Sequence, residues 1–345
     1  MQPRLQHKRL LFSCGFPMLL IFFLVSACGG NPGTQGAQPL TPMTLALDWT
    51  PNTNHTGIYV ALANRWYRDQ GIDLQLLPYS ASVSPDTLVA NGKADVGISF
   101  TEGVVSDAAA GQPVVSIAAI IQHNTSALVT LSSSGITRPR DLDGKIYGGF
   151  GASYENAVIS QIIKHDGGKG TFKNVTLNVD AMEALKAHRI DFAWIYEGWE
   201  GVQAQREGIS LTSFPITDYG IPDYSTPNII TSPTTIKQKP ELLRKFMAAT
   251  SQGYEYARIH SKEAAQMLID TAPKGTFPDP QLVFMSQDYL SLRYADTDRK
   301  WGLQDAQAWH DYPQFILSTG GITDASNKPV KSLDLNSLYT NQFLP

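Results

Sequence analysis

From Met43 to about residue 318 the chain alternates short apolar runs with amphipathic stretches, and it goes through that rhythm twice. Strands separated by helical stretches read as right-handed βαβ units around a mostly parallel sheet, because a parallel neighbour is reached only through a crossover of a dozen or more residues. Thr44 to Leu47 reads as a strand, Gly57 to Asp69 as a helix closed by Gly71, and Asp73 to Leu77 as a second strand. Ser84 to Asn91 reads as a short helix with Gly92 after it, and Asp95 to Phe100 as a third strand. After Ser132-Ser133-Ser134-Gly135 the series restarts. Strands are expected over Lys145 to Gly149, Val175 to Val179 and Asp191 to Ile195, with helices over Ser153 to His165, Ala181 to Ala187 and Glu197 to Arg206. From Pro240 the pattern is helical: Pro240 to His260, Ser261 to Thr271, Pro280 to Leu290 and Gln304 to Ser318, with Pro240 in a first turn and Ser261 as an N-cap.

Two such series with a helical return predict an α/β fold of two doubly wound lobes with a hinged cleft, since open α/β sheets bind ligands beyond the carboxyl ends of their strands. The expected organisation is a leader over 1–27, a tether over 28–42, a first lobe over 43–130 and a second over 131–226. The chain then returns to the first lobe with the C-terminal helices over 227–325 and ends in a tail over 326–345.

The leader has a basic start at Arg4, Lys8 and Arg9, a short apolar segment from Met18 to Val25, and Val25-Ser26-Ala27-Cys28 at its end. That pattern predicts a bacterial lipoprotein signal cleaved before Cys28, which is then lipidated. The body is accordingly expected to be lipid-anchored at the extracytoplasmic face of a cell membrane, in the periplasm or on the outer face. The stretch from Gly29 to Pro42 is rich in Gly, Pro, Gln and Thr and reads as a flexible tether. A net charge of -4 offers no basic face for nucleic acid. Cys14 leaves with the leader, so no disulfide is expected in the mature chain.

The residues after the strands are where function is expected. They read Asp48-Trp49-Thr50-Pro51-Asn52-Thr53-Asn54-His55, Ser99-Phe100-Thr101-Glu102, Tyr147-Gly148-Gly149-Phe150-Gly151-Ala152-Ser153 and Trp194-Ile195-Tyr196-Glu197-Gly198-Trp199-Glu200. Trp49, Tyr196 and Trp199 would stack on a flat ligand, although core packing explains most tryptophans. Glu197 reads either as a solvated first-turn residue or as a buried carboxylate pairing with an amidine-like edge of a ring. The glycine-rich run over 148–151, Gly149 included, is either a tight turn or an anion site built from backbone N–H groups. Its spacing matches neither nucleotide-binding fingerprint. The histidines are scattered, with no HExxH pair and no GxSxG elbow, so neither a metal, a cofactor nor nucleophilic catalysis is expected.

With these blocks in place, the chain resembles the ThiY-type solute-binding proteins of bacterial uptake transporters, which capture formylaminopyrimidine for thiamine salvage. The resemblance is carried by Leu47-Asp48-Trp49-Thr50-Pro51-Asn52, Gly92-Lys93-Ala94-Asp95-Val96-Gly97-Ile98-Ser99, Gly144-Lys145-Ile146-Tyr147-Gly148-Gly149, Asp191 to Glu200, and Arg244 to Thr250. It implies a periplasmic-binding fold of the second type, SsuA-like in its wider superfamily, holding a pyrimidine between aromatics. The ligand positions it implies are Trp49, Asn52, His55, Ser99, Tyr147, Gly149, Glu155, Tyr196, Glu197, Trp199 and Tyr224. The partners it implies are a small pyrimidine, formylaminopyrimidine or hydroxymethylpyrimidine, and an ABC permease, with the body a monomer. Two alternatives stand beside it. One is a binding protein for a sulfonate, nitrate or other small anion. The other is a thiamine-pyrimidine synthase, which resembles this chain in fold but uses a Lys and a His in the first lobe, and no such pair stands near the third strand's end, which reads Ser99 to Gly103.

Overall fold

The computed structural model describes residues 39–177 and 180–345, so the leader, Cys28 and the tether as far as residue 38 lie outside the described residues, while Thr41 and Pro42, expected in the tether, already belong to the first strand. Residues Pro39–Pro345 form one unit containing two five-stranded sheets. The first is built from β1 (Thr41–Ala46), β2 (Ile72–Leu77), β3 (Val96–Ser99), β4 (Val115–Ala119) and a late strand, β10 (Asn228–Thr231), in the order β2-β1-β3-β10-β4. The second holds β5 (Ser126–Leu131), β6 (Ile146–Gly149), β7 (Lys173–Thr176), β8 (Phe192–Tyr196) and β9 (Leu211–Pro215), in the order β7-β6-β8-β5-β9. In both sheets the first three strands pair in parallel. The fourth in spatial order, β10 or β5, runs antiparallel to both of its neighbours. The sheets are thus mixed, and their plans match strand for strand.

The late strand β10 returns to the first sheet after the second has been built, so the chain crosses between the sheets twice, over 120–125 and 216–227. Neither antiparallel strand announces itself by alternation. Ser126–Leu131 is buried through five of its six residues and Asn228–Thr231 through all four, and a strand covered on both faces loses its polar period.

Several elements differ from the local expectation for identifiable reasons. The helix expected over Gly57 to Asp69 is two helices, Thr56–Ala63 and Trp66–Asp69, because Arg65 takes a left-handed φ of 63°. Ser261 does not cap the helix Ser261–Thr271; it is the first helical residue, and its hydroxyl donates to Asp288 Oδ1 at 2.6 Å. The stretch after β8 opens as a π-helical turn over Glu197–Gly201 before regular helix resumes at Val202–Arg206. The chain's end is also bound into the body. Leu338 O accepts from Ser116 N at 2.9 Å and Thr340 N donates to Ser116 O at 2.8 Å, adding a bridge at the β4 edge. Among the described residues no helix is long and apolar enough to cross a membrane.

The first sheet is packed by the long helix Pro240–Ile259, which crosses Thr56–Ala63. The crossing is close because both helices present glycine. A Cβ on Gly253 would lie 1.9 Å from Gly57 O, and one on Gly57 would meet the Tyr254 ring at 2.2 Å. Tyr254 in turn lies flat on Trp301, centroids 4.1 Å apart, so the ring has nowhere to retreat. Gly253→Ala is therefore expected to destabilise the fold by about 1–3 kcal/mol, since overpacked backbone must shift; urea denaturation checks this.

Candidate functional site

The carboxyl ends of β1, β3, β6 and β8 carry the segments singled out from the sequence. After β1, Asp48 to His55 forms a self-locked loop. His55 is wholly buried. Its Nδ1 accepts from Asn52 N at 3.2 Å, and a backbone N–H can only donate, so the proton sits on Nε2 and is given to Asp48 Oδ1 at 2.8 Å. The Asn52 side chain accepts from Asn54 N at 2.9 Å and donates to Thr50 O at 3.2 Å. Asn52 and His55, expected to contact ligand, instead spend their polar atoms on the loop. What the loop presents is Trp49, 49% exposed and paired with Tyr79 at a centroid distance of 4.6 Å.

The loop after β6 corrects the anion-site expectation. Glu155 is buried, and its carboxylate takes four donors of the protein itself. Oε1 accepts from Tyr147 OH at 2.8 Å and Phe150 N at 3.2 Å, and Oε2 from Gly151 N at 2.8 Å and Ala152 N at 2.9 Å. The backbone amides form an anion nest, and the anion is the protein's own side chain. Tyr147 and Glu155, named as ligand contacts, are accordingly the brace of this loop. Gly149 is glycine for clearance, because a Cβ there would lie 2.4 Å from the Tyr147 ring and 2.6 Å from Glu155 Oε1. Removing the carboxylate with Glu155→Ala should cost on the order of 2–3 kcal/mol by chemical denaturation, the scale of charged hydrogen bonds lost from a buried site.

Ser99 is likewise occupied: its hydroxyl is buried and donates to Asp86 Oδ1. Asp86 lies against Asp107, and burial above all holds both carboxyls above their ordinary range. Trp199 points out of the strand-end region. It meets Phe277 edge-on at 6.4 Å beside a groove of about 260 Å³ that Arg206 and Asp279 also line. Glu197 bridges elements: Oε1 accepts from Ser213 Oγ at 2.7 Å and Oε2 from Tyr289 OH at 3.1 Å. Next to it, Gly198 O accepts from Ser286 Oγ, which leaves Thr53 Oγ1 as the donor across the 2.5 Å contact to Ser286. The π-helical turn after β8 is thereby fastened to the helix Pro280–Ser291.

Where β3 and β8 end, residues of the two sheets meet. Phe100 and Tyr196 lie parallel within 16° with centroids 6.4 Å apart. Two residues on from Phe100, Glu102 is 2% exposed in the first turn of the helix Thr101–Ala109. Its Oε1 accepts from Tyr224 OH and, at 2.9 Å, from Tyr312 OH. These two rings are stacked at 3.5 Å and 5°. Its Oε2 is buried without a hydrogen-bond partner. Burial raises the Glu102 carboxyl above its usual value, and the donors Tyr224, its own backbone N–H and Tyr312 oppose that rise without cancelling it. Burial first and the Glu102 charge second also push the Tyr154 and Tyr196 hydroxyls well above theirs. Burial raises Glu200, whose Oε2 accepts from Tyr196 N at 3.1 Å, to about 7. Among the described residues no group of three or more His, Cys, Asp or Glu could hold a metal ion.

Of the residues picked from sequence, Tyr196 stands at this meeting point and Tyr224 behind it, while Trp49 stands on the rim after β1. Glu102, Phe100, Tyr154 and Tyr312 were not picked. The strand-end rule had already marked Ser99 to Glu102; Tyr312, in the middle of the helix Ala306–Ser318, gave no local signal.

The fold is that of the SsuA-like periplasmic binding proteins. The alkanesulfonate-binding protein SsuA of Xanthomonas axonopodis, solved bound to MOPS, superposes with a TM-score of 0.61 at 15% identity, covering 80% of this chain and 91% of that one. Residues 52–264 match the model of the NMT1/THI5-like family, well over half of the chain, and the protein belongs to that family. It is similar to the formylaminopyrimidine-binding protein of Halalkalibacterium halodurans, 25% identical over 94% of this chain and 98% of the relative. It is also similar to a 4-amino-5-hydroxymethyl-2-methylpyrimidine phosphate synthase of Legionella pneumophila, 26% identical over 88% of this chain and 92% of the relative.

The Asp86–Asp107 pair sets a pH dependence. Burial and then the Asp86 charge raise Asp107 from 3.8 to about 9, so the folded chain keeps a proton that the unfolded chain releases above about 4. This contribution is complete below that point and is lost as pH climbs toward 9. Asp107→Asn is expected to flatten the decline and to raise the urea midpoint relative to the parent at pH 8 more than at pH 5.

Proposed function

We propose that this protein is a non-enzymatic solute-binding protein of an ABC importer. Its ligand is a thiamine-related aminopyrimidine, formylaminopyrimidine or hydroxymethylpyrimidine, closed between the two sheets and handed unchanged to a membrane permease. In this reading Cys28 carries the lipid that holds the body at the extracytoplasmic face of the membrane, and the protein works as a monomer. The observation that carries the proposal is the parallel pair Phe100 and Tyr196, which come from strand ends of different sheets with centroids 6.4 Å apart. That distance is nearly twice the 3.5 Å of the stacked Tyr224 and Tyr312. A flat heteroaromatic ring gains about 0.5–1.5 kcal/mol from each aromatic face beyond the area it buries, so paired faces favour a pyrimidine over an aliphatic solute.

Three further features support the same ligand class. Trp49 stands free enough on the rim after β1 to fold over a bound ring. The buried carboxylate of Glu102 acts on the Tyr196 hydroxyl and keeps an unpaired acceptor oxygen, which suits a ligand edge of N–H donors. The amides after β6 that a sulfonate or nitrate would need already serve Glu155, which weighs against the small-anion alternative. The relatives point to the pyrimidine as well, one a formylaminopyrimidine-binding protein and one a synthase of the hydroxymethylpyrimidine phosphate. Against synthesis stands the end of β3, where Ser99 donates to Asp86 and no lysine is at hand to hold an aldehyde.

The test is a thermal shift series on the mature chain with 4-amino-5-hydroxymethyl-2-methylpyrimidine, taurine and nitrate. A ligand at a hundredfold excess over Kd adds about 2.7 kcal/mol to the folded state. The pyrimidine alone should raise Tm and be recovered unaltered by mass spectrometry, and Trp49→Ala should weaken it about tenfold, or about 1.4 kcal/mol. A shift with taurine or nitrate instead, or conversion of the pyrimidine, removes the proposal.

A further inference from the structure

The carboxylates near the strand ends differ in how much of their hydrogen-bonding capacity the protein itself uses. Glu155 accepts four donors. Asp48 receives His55, and both oxygens of Glu197 have a hydroxyl, from Ser213 and Tyr289. Glu102 is different. Tyr224 and Tyr312 both donate to Oε1, whereas Oε2 is buried and makes no hydrogen bond among the described residues. Buried acceptors are almost always paired, so one left over beside a candidate site calls for a partner from outside the chain.

The mounting of Glu102 is that of a fixed group. Its two donors come from separate elements, the return segment between the sheets and the helix Ala306–Ser318, and their rings are stacked on each other. With Oε1 pinned by two donors, rotation of the carboxylate is blocked and Oε2 has one orientation. Phe100, two residues earlier, faces Tyr196 of the other sheet, and the hydroxyls of Tyr154 and Tyr196 both feel the Glu102 charge. The free oxygen therefore belongs to the region where the two sheets' strand ends converge.

We infer that Glu102 Oε2 is the acceptor for the exocyclic amino group of the bound ring, so that Glu102, and not Glu197, is the side chain that distinguishes an aminopyrimidine from its oxo counterpart. This rests on the pyrimidine-binding reading above and adds to it the residue that sets specificity. Glutamine is a sharp probe of the idea. In Glu102→Gln the amide oxygen can still accept from both tyrosines, while the position of Oε2 becomes an N–H donor that opposes an amino group and suits a carbonyl.

The experiment is calorimetric titration of the full mature chain with 4-amino-5-hydroxymethyl-2-methylpyrimidine and with the analogue bearing a 4-oxo group. The parent protein should prefer the amino compound by tenfold or more. Glu102→Gln should retain its Tm to within a few degrees and lose or invert that preference, whereas Glu197→Gln should keep it. Should Glu102→Gln fail to fold, Tyr312→Phe removes one of the two donors that pin Oε1 and should shrink the preference. An amino-to-oxo ratio unchanged in Glu102→Gln, or in Tyr312→Phe if that variant is the one tested, overturns the assignment while leaving pyrimidine binding intact. If the parent binds neither compound, the pyrimidine reading itself fails and the assignment fails with it.

Discussion

The structure depends on one antiparallel strand set inside each sheet, of which β10 comes from a distant part of the chain. β10 lies between β3 and β4, and β5 between β8 and β9, each hydrogen-bonded on both sides. The second sheet is drawn from the contiguous run β5 to β9, but the first cannot form from one, because without β10 two central edges would be left unpaired and their buried backbone groups without partners. The same insertion sends the chain between the sheets twice, which brings the ends of β3 and β8 to a common seam. Phe100 and Tyr196 meet there for that reason.

At the seam and the loops around it, acidic side chains do two kinds of work. Some hold the chain: Glu155 fills the amide nest after β6, Asp48 receives His55, Glu197 ties Ser213 to Tyr289, and Asp86 receives Ser99. These pairings explain why a loop dense in polar residues can be rigid, since each buried acceptor stiffens the backbone whose donors it satisfies. Glu102 departs from the pattern by leaving an oxygen unpaired in a buried position, as Asp107 Oδ2 also does beside Asp86. A rigid surround with an unsatisfied acceptor near two parallel rings is an arrangement suited to recognition more than to proton transfer or nucleophilic attack.

The parallel strands, the strand-end segments and most of the helices between them were readable from local pattern to within a few residues; the helix Thr101–Ala109 after β3 was not. Apolar runs bounded by Gly71, Gly92 and Gly208 mark them, and those glycines do take left-handed φ. The four strands β4, β5, β9 and β10 were not read, because short buried runs such as Asn228–Thr231 have no period to detect. Site residues divide in the same way. Trp49 and Tyr196 were picked because they follow strands. Asn52, His55, Tyr147 and Glu155 came with the family resemblance, and the structure spends their polar atoms on bracing their own loops, while Ser99 donates to Asp86. Nothing in the local sequence distinguishes a polar side chain that faces a ligand from one that satisfies three backbone amides beside it.

Sequence alone determined the βα rhythm, its repetition, and the crowding of aromatic and acidic residues just beyond the strands, because periodicity and turn chemistry act over a few residues. Tertiary structure alone decided which strands run backwards, where Trp199 points, and which carboxylate keeps a free oxygen. Those outcomes are set by partners far along the chain, such as Tyr312 donating to Glu102 from 210 residues away. A hydrogen bond of that span is fixed by the packing of whole elements, and no window of local sequence contains both its ends.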